Sequence, residues 1–230
     1  MDVSLILPCY NEAQIFRESV SRIVHTLEAT KYSYEIIFVD DKSEDETAKL
    51  IRGTIKKNKH MRAVFHSRNM GRGSAVRDGL LEATGTVAGF IDIDCEVSPL
   101  YIPHMVDLIM KRKADVVIGR RFYRTNTQSI IREILSRGYR WLADRMVRTG
   151  GLDTETGYKF FNRKKILPVL KRTKHNGWFW DTEIMVRAKG AGFDIVEVPV
   201  LFLRRFDKTS TVRPFRDIAD YLISLWRLRR

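Results

Sequence analysis

The chain has 230 residues and 26.8 kDa, with 44% hydrophobic and 30% charged residues. That is enough for one or two domains with a sizeable core, and it excludes disordered, collagenous and disulfide-framework classes. The net charge of +13 is concentrated: residues 111–150 hold 11 Lys/Arg against 3 Asp/Glu and residues 204–230 hold 8 against 3, which accounts for the whole excess and points to an anionic partner surface.

VSLILP (3–8) opens the chain as a continuous apolar run of strand length. Residues 13–30 follow with helical spacing through Ile15, Val20, Ile23, Val24 and Leu27. EIIFV (35–39) is a second strand, and Ser43 with Glu46 three residues on is a capping-box pattern expected to open the next helix. MRAVFH (61–66) is a third strand, 73–83 a helix and VAGFI (87–91) a fourth strand. Ser98-Pro99 supplies an N-cap and a first-turn proline for a helix to about Lys111, and DVVIG (115–119) is a fifth strand. Fully apolar strands alternating with helices predict an α/β fold, a mainly parallel sheet flanked by helices. No repeat, low-complexity stretch or Pro/Gly/Ser-rich linker divides the chain. No apolar run approaches the ~20 residues of a membrane span, and no signal peptide pattern opens the chain. Cys9 and Cys95 stand alone, as reduced thiols of a cytosolic protein do.

In such sheets ligands bind beyond the carboxyl ends of the strands, which directs attention to 8–12, 40–42, 66–73, 92–96 and 119–122. The sequence contains no GxxxxGK[ST], and its glycine-rich stretch NMGRGSAVRDG (69–79) follows the third strand rather than the first, so neither a P-loop nor a dinucleotide fingerprint is present. Asp92, Asp94 and Glu96 alternate beyond the fourth strand and are expected to point one way. Such a set of oxygen ligands suits Mg²⁺ or Mn²⁺ bridging to substrate phosphates. Asp40-Asp41 ends the second strand, where turn chemistry explains it equally well.

LPCYNE (7–12), VDD (39–41), NMGRGSAVRDG (69–79), DIDCE (92–96) and GRRF (119–122) occur in an order that resembles the family-2, GT-A-fold glycosyltransferases. REILSRG (132–138), DTETGYKFF (153–161) and WFWDTEIMVRAKGAGFDIVEVPV (178–200) narrow the resemblance to polyprenyl-phosphate sugar synthases, the dolichyl-phosphate mannose and glucose synthases. The resemblance implies a GT-A catalytic domain over 1–212 and a basic amphipathic helix over 213–230. It implies inverting transfer of one sugar from a nucleotide-diphosphate donor to a polyprenyl (dolichyl) phosphate. Pro8, Tyr10, Asn11, Glu12, Val39, Asp41, Asp92 and Ile93 would bind the nucleotide-sugar. Asp92, Asp94 and Glu96 would hold the metal; Glu96 stands where the mannose synthases often carry Gln and adds negative charge. Arg121, Arg132, Ser136, Arg204, Arg205 and Ser210 would bind the acceptor phosphate, with KTST in place of the family's ESK before the last of them. Asp94, Arg121 and Asp181 carry the catalytic expectation.

A phosphate acceptor is already a nucleophile and needs no proton removed, so Asp181 is expected to position rather than to act as base, with a helix N-cap as the competing explanation. Asp181 and Glu183 together match an acidic pair of the family, and Gly157 and Lys159 are expected to shape or charge the acceptor loop. Residues 128–148 and 214–229 each alternate an apolar stripe with arginines, the pattern of helices lying in a membrane interface. The expected location is therefore the cytoplasmic face of a membrane, held peripherally or by a membrane-anchoring partner subunit. A family-2 enzyme with a hydroxyl acceptor and Asp181 as base is the alternative. A nucleic-acid-binding module is disfavoured, because no interleaved aromatics or recognition motifs accompany the basic stretches. WDTEIMVRAKG leans towards mannose from GDP-mannose, and YKFF with DTETG towards glucose from UDP-glucose; the balance favours mannose.

Overall fold

The computed structural model describes residues 1–123, 138–204 and 214–229. In chain order the elements are β1 (Val3–Cys9), α1 (Phe16–Glu28), β2 (Tyr34–Asp40), α2 (Thr47–Ile55), β3 (Met61–Phe65), α3 (Arg72–Glu82) and β4 (Val87–Ile91). A 3₁₀ turn (Pro99–Tyr101), α4 (Ile102–Met110), β5 (Val116–Tyr123) and α5 (138–147) follow. The chain continues with β6 (Tyr158–Asn162), α6 (Arg163–Leu170), α7 (Trp180–Gly190), β7 (Ile195–Phe202) and α8 (Pro214–Arg229).

One sheet of order β3-β2-β1-β4-β6-β5-β7 forms the centre, parallel except for β6, which runs antiparallel to both β4 and β5. The alternation inside each apolar run explains the two layers. Val3, Leu5 and Leu7 of β1 and Ile36 and Phe38 of β2 face a core shared with α1 and α4. Ile6, Ile37 and Val39 face the opposite core, shared with α3, α6 and α7. The five expected strands are all present. Strands β6 and β7 fall within motifs read from the resemblance rather than from periodicity.

Two local expectations divide. Ser98 does cap, its Oγ accepting from Leu100 N (3.3 Å) at the 3₁₀ turn ahead of α4. Ser43 does not open α2, whose N-cap position is Glu46 with no side-chain cap. Its hydroxyl accepts from Asn11 N (3.0 Å) instead, and Asp45 accepts from Thr47 N (2.9 Å). Tying the loop after β2 to the loop after β1 outcompetes the local box.

The amphipathic helices expected at 128–148 and 214–229 are described over 138–147 and as α8. They pack on each other: Ala143, Leu225 and Phe179 form a small core, with Leu142, Met146, Tyr221 and Leu228 against it. Trp141, Leu222, Ile223 and Trp226 stay exposed. The stripe is thus divided, part of it closing the fold. Among the described residues no helix is long and apolar enough to cross a membrane.

Candidate active site

The parallel strands all end at one edge, and β6, running against them, begins there. The loops after β1 and β2 form the first wall. Asn11 takes a left-handed conformation (φ 56°), with its Oδ1 accepting from Glu44 N at 2.8 Å. Glu12 N donates to Thr47 Oγ1 (2.8 Å). Tyr10 is half-buried and Asn11 exposed at this edge, whereas Pro8 and Glu12 are buried. Val39 is buried completely in the α3-side core, so its side chain is not offered to a ligand. Asp41 is 3% exposed, and its carboxylate accepts from Met70 N and Gly71 N (both 2.8 Å) and faces His66 Nδ1 at 2.7 Å. The geometry makes Asp41 the anchor of the glycine-rich segment. His66 Nε2 lies 3.3 Å from Asp78 Oδ2 but is not aligned for a hydrogen bond.

The acidic segment differs from its expectation. β4 stops at Ile91; Asp92 N donates to Gly157 O (3.1 Å) and Cys95 N to Asp92 O (3.2 Å), so residues 92–95 turn instead of extending. Strand alternation does not apply there. Ile93 is buried in the α1-side core, which leaves only its backbone for a donor, and Asp94 Oδ1 accepts from Glu96 N (3.2 Å). Among the described residues no group of three His, Cys, Asp or Glu side chains comes together to hold a metal, so the Asp92–Asp94–Glu96 chelate is not assembled. Asp92 and Asp94 still fit a hard divalent cation that keeps water and phosphate ligands and needs only one or two carboxylates. A cationic group already stands at Asp92: Arg72 donates to its Oδ1 from Nε (2.9 Å) and Nη2 (2.6 Å).

Arg72 opens α3, and the backbone around it explains the glycines of the 69–79 stretch. Ser74 N donates to Asn176 O (3.0 Å), drawing α3 against the segment before α7. A Cβ on Gly73 would lie 2.4 Å from Trp180 Cβ; one on Gly71 (φ +94°) would lie 2.6 Å from Asn176 O, in a conformation L side chains rarely adopt. The close approach lets Arg72 reach across to Asp181 Oδ2 on the first turn of α7 while it holds Asp92. Asp181 Oδ1 accepts from Lys159 Nζ at 2.6 Å, and Lys159 also donates to Thr156 O. Asp181 is 2% exposed and Lys159 fully buried. Burial pushes the Lys159 ammonium below its ordinary pKa against the pull of Asp181. For Arg72, burial works the same way, but the Asp181 and Asp92 carboxylates win and raise it. Lys159, expected to shape or charge the acceptor loop, instead lies buried beneath Asp181.

At the far wall Arg121, on the last turns of β5, is held by Asp153: Nε to Oδ2 at 2.9 Å, Nη2 to Oδ1 at 2.7 Å, and the Arg121 N–H to Oδ2 at 3.0 Å. Arg140 Nη1 stands 3.9 Å from the same carboxylate and Glu155 Oε2 3.5 Å from Arg121 Nη2. Burial would raise the Asp153 carboxyl, yet the guanidiniums of Arg121 and Arg140 keep it below the usual carboxylate range. Glu155 is pushed up by burial, with Asp153 and Asp181 adding to it. Thr154 and Thr182 share a hydroxyl hydrogen bond (2.9 Å), and Tyr139 OH reaches Thr182 at 2.8 Å. Glu183 is not part of this site; it accepts from Lys174 N and His175 N and pairs with Arg187. Arg204 is half-buried just after β7, while Arg132, Ser136, Arg205 and Ser210 lie outside the described residues.

The structure thus joins Asp92, Asp181 and Arg121, expected from sequence, to Arg72 and Asp153, which were not, and to Lys159, which was expected in a different role. An arginine between two glycines and a lysine inside an otherwise apolar strand were the available signals.

The family described as Glycosyl transferase family 2 matches residues 4–169. Among curated proteins, Glycosyltransferase AglD of Haloferax volcanii is 28% identical over 98% of this chain. The dolichyl-phosphate beta-glucosyltransferase of Saccharomyces cerevisiae is 31% identical over 86% of it. The chain spans 37% of the first and 66% of the second. Among solved structures, glucosyl-3-phosphoglycerate synthase from Mycobacterium tuberculosis, in complex with Mn²⁺, UDP and glucosyl-3-phosphoglycerate, superposes with a TM-score of 0.72 at 20% identity, covering 99% of this chain and 79% of that one. The fold is that of the GT-A glycosyltransferases, and the chain belongs to glycosyl transferase family 2.

Proposed function

We propose that this chain transfers a single glucose from UDP-glucose to a polyprenyl phosphate, with inversion at the anomeric carbon. The observation that carries this reading is the engagement of Asp181. A hydroxyl acceptor requires a base within reach of its proton. Asp181, the one candidate the sequence offered, is buried with one oxygen on Arg72 and the other on Lys159. A phosphate acceptor carries its own charge and needs cationic orientation instead, a role proposed for Arg121 and the neighbouring Arg140, which Asp153 holds at the far wall. Glucose replaces the mannose favoured from sequence alone, because the yeast relative is named a dolichyl-phosphate beta-glucosyltransferase and nothing among the relatives reported favours mannose.

In this mechanism the loops after β1 and β2 bind the nucleoside, with Tyr10 and Asn11 at the open edge. Asp92 and Asp94 would hold Mg²⁺ or Mn²⁺, which when bound would supply charge neutralisation of the leaving diphosphate. Arg121 orients the acceptor phosphate for attack opposite that leaving group, and Arg132 and Ser136 are proposed to join it. Asp181 serves as a positioning residue that fixes Arg72. Because the acceptor is a lipid, the reaction takes place at a membrane surface. The exposed Trp141, Leu222, Ile223 and Trp226, among exposed Arg145, Arg148 and Arg227, support such contact.

The test is product formation by purified protein with a short-chain polyprenyl phosphate, Mn²⁺ or Mg²⁺, and UDP-glucose or GDP-mannose in separate reactions. Lipid-linked glucose from UDP-glucose, abolished by Asp94→Ala, is the expected result. Transfer from GDP-mannose alone, or only to a hydroxyl acceptor, would overturn the reading.

A further inference from the structure

The DxD segment of a metal-assisted transferase is ordinarily drawn as an anionic site awaiting a cation. Here the charge of Asp92 is already compensated. Arg72 holds Oδ1 through two donors (2.9 and 2.6 Å), is itself only 12% exposed at its side chain, and is gripped from the other side by Asp181. Its guanidinium also lies over the Phe90 and Trp178 rings, 5.5 and 5.0 Å from their centroids. The arrangement is asymmetric. Asp181 is sealed and shared with Lys159, whereas the Asp92 side chain is 38% exposed and stands at the mouth of the site.

We propose that Arg72 is the resident counter-ion of Asp92, and that divalent-cation binding proceeds by exchange: the cation takes the Asp92 carboxylate as Arg72 releases it, while Asp181 retains the guanidinium. The inference rests on the metal reading above and adds a residue to it. Both partners of Asp92 are cationic and share one carboxylate, Arg72 at its Oδ1, so each weakens the other's hold and their occupancies oppose each other. Asp181 is the alternative anion that keeps the released arginine from becoming a buried unpaired charge, a cost that would otherwise oppose metal entry. Lys159 holds Asp181 in place for that role. Before the metal arrives Arg72 compensates Asp92; before and after, its pair with Asp181 tethers α3 to α7.

The test uses the full chain without nucleotide. Mn²⁺ is titrated and the free ion followed by electron paramagnetic resonance, for the wild type, Arg72→Gln and Arg72→Lys, with circular dichroism confirming that each folds. Arg72→Gln is expected to tighten Mn²⁺ binding by about tenfold. Arg72→Lys keeps the charge but loses the fork that holds both carboxylates, so it should fall between the two. A lysine variant identical to the wild type would reduce the effect to general charge and overturn the exchange. So would a glutamine variant that binds Mn²⁺ no more tightly. A second readout needs no substitution at the site: the Arg72 Nε–H, identified by its loss in Arg72→Lys, should lose its protection against solvent exchange in the ¹⁵N spectrum as Mg²⁺ saturates. A signal unchanged at saturation also overturns the proposal while leaving the metal reading intact. A wild type that binds no Mn²⁺ even with UDP present would remove both.

Discussion

Gly157 offers the most demanding check on the site's geometry. Its backbone lies outside the left-handed region, so alanine is conformationally acceptable there; the constraint is space. A Cβ would stand 1.8 Å from Asp92 Oδ2, 2.5 Å from its Cγ and 2.8 Å from Arg72 Nη2. Reaching an ordinary 3.4 Å contact requires the carboxylate to move by about 1.6 Å. The Asp92 main chain cannot follow, because its N–H donates to Gly157 O. The side chain must therefore rotate away from Arg72 and from the position proposed for the metal. A displacement of about 1 Å costs on the order of 10²-fold in rate, so Gly157→Ala should lower the turnover of UDP-glucose with a short polyprenyl phosphate by about 10²- to 10³-fold. Loss of the Arg72–Asp92 contact should cost only about 1–3 kcal/mol of stability, read by urea unfolding. Activity within about threefold of wild type, alongside an inactive Asp92→Ala, would refute the placement of Asp92 described here.

Other consequences can be checked directly. Lys159→Met leaves Asp181 paired with Arg72 alone, and should cost about 3 kcal/mol and lower Tm by roughly 6–12 °C in thermal unfolding. Arg121→Lys keeps a charge but not the two-pronged hold on Asp153. It should lower kcat/KM for the acceptor phosphate by about 10- to 100-fold while leaving the KM for UDP-glucose within about twofold. At the opposite end of the sheet, burial opposes ionisation of Glu35, but hydrogen bonds from Ser4, Thr84 and Arg62 overcome it and push its pKa from 4.5 down to about 2. Because the folded value is the lower one, its stabilisation is present above pH 4.5 and is lost as pH falls towards about 2. Allowing for solvent screening it is worth about 2 kcal/mol. Urea unfolding between pH 5 and pH 3 should lose stability faster for the wild type than for Glu35→Gln, and parallel curves would contradict this.

Much of the layout was readable from the residues. The five apolar runs are strands because burial on both faces leaves no room for polar alternation, and their carboxyl ends are where Asp92 and Arg121 stand. Strand β6 was hidden for a physical reason. YKFFN carries a lysine at its second position, and a lysine fully buried inside a sheet is acceptable only with a partner, Asp181, that lies 22 residues away in sequence. Arg72 was hidden likewise, since its role depends on how closely α3 approaches the segment before α7, which the flanking glycines permit but do not announce. The assumption that Asp92, Asp94 and Glu96 continue the strand failed because main-chain bonds to Gly157 O and within residues 92–95 end it at Ile91. Ser43 followed a local pattern that a contact 32 residues distant overrode.

The reversed direction of β6 has an evolutionary implication. The chain leaves the ligand-side edge at Tyr123 and is back at that edge by Asp153, where Asp153 fastens Arg121 and, four residues later, Gly157 seats Asp92. Both ends of the intervening stretch are therefore pinned to the same rim. Changes between those ends need not shift either anchor, provided that α5 keeps its packing on α8 and Phe179. On the function proposed above, a change of acceptor can come from that stretch while the residues proposed to bind the donor stay in place.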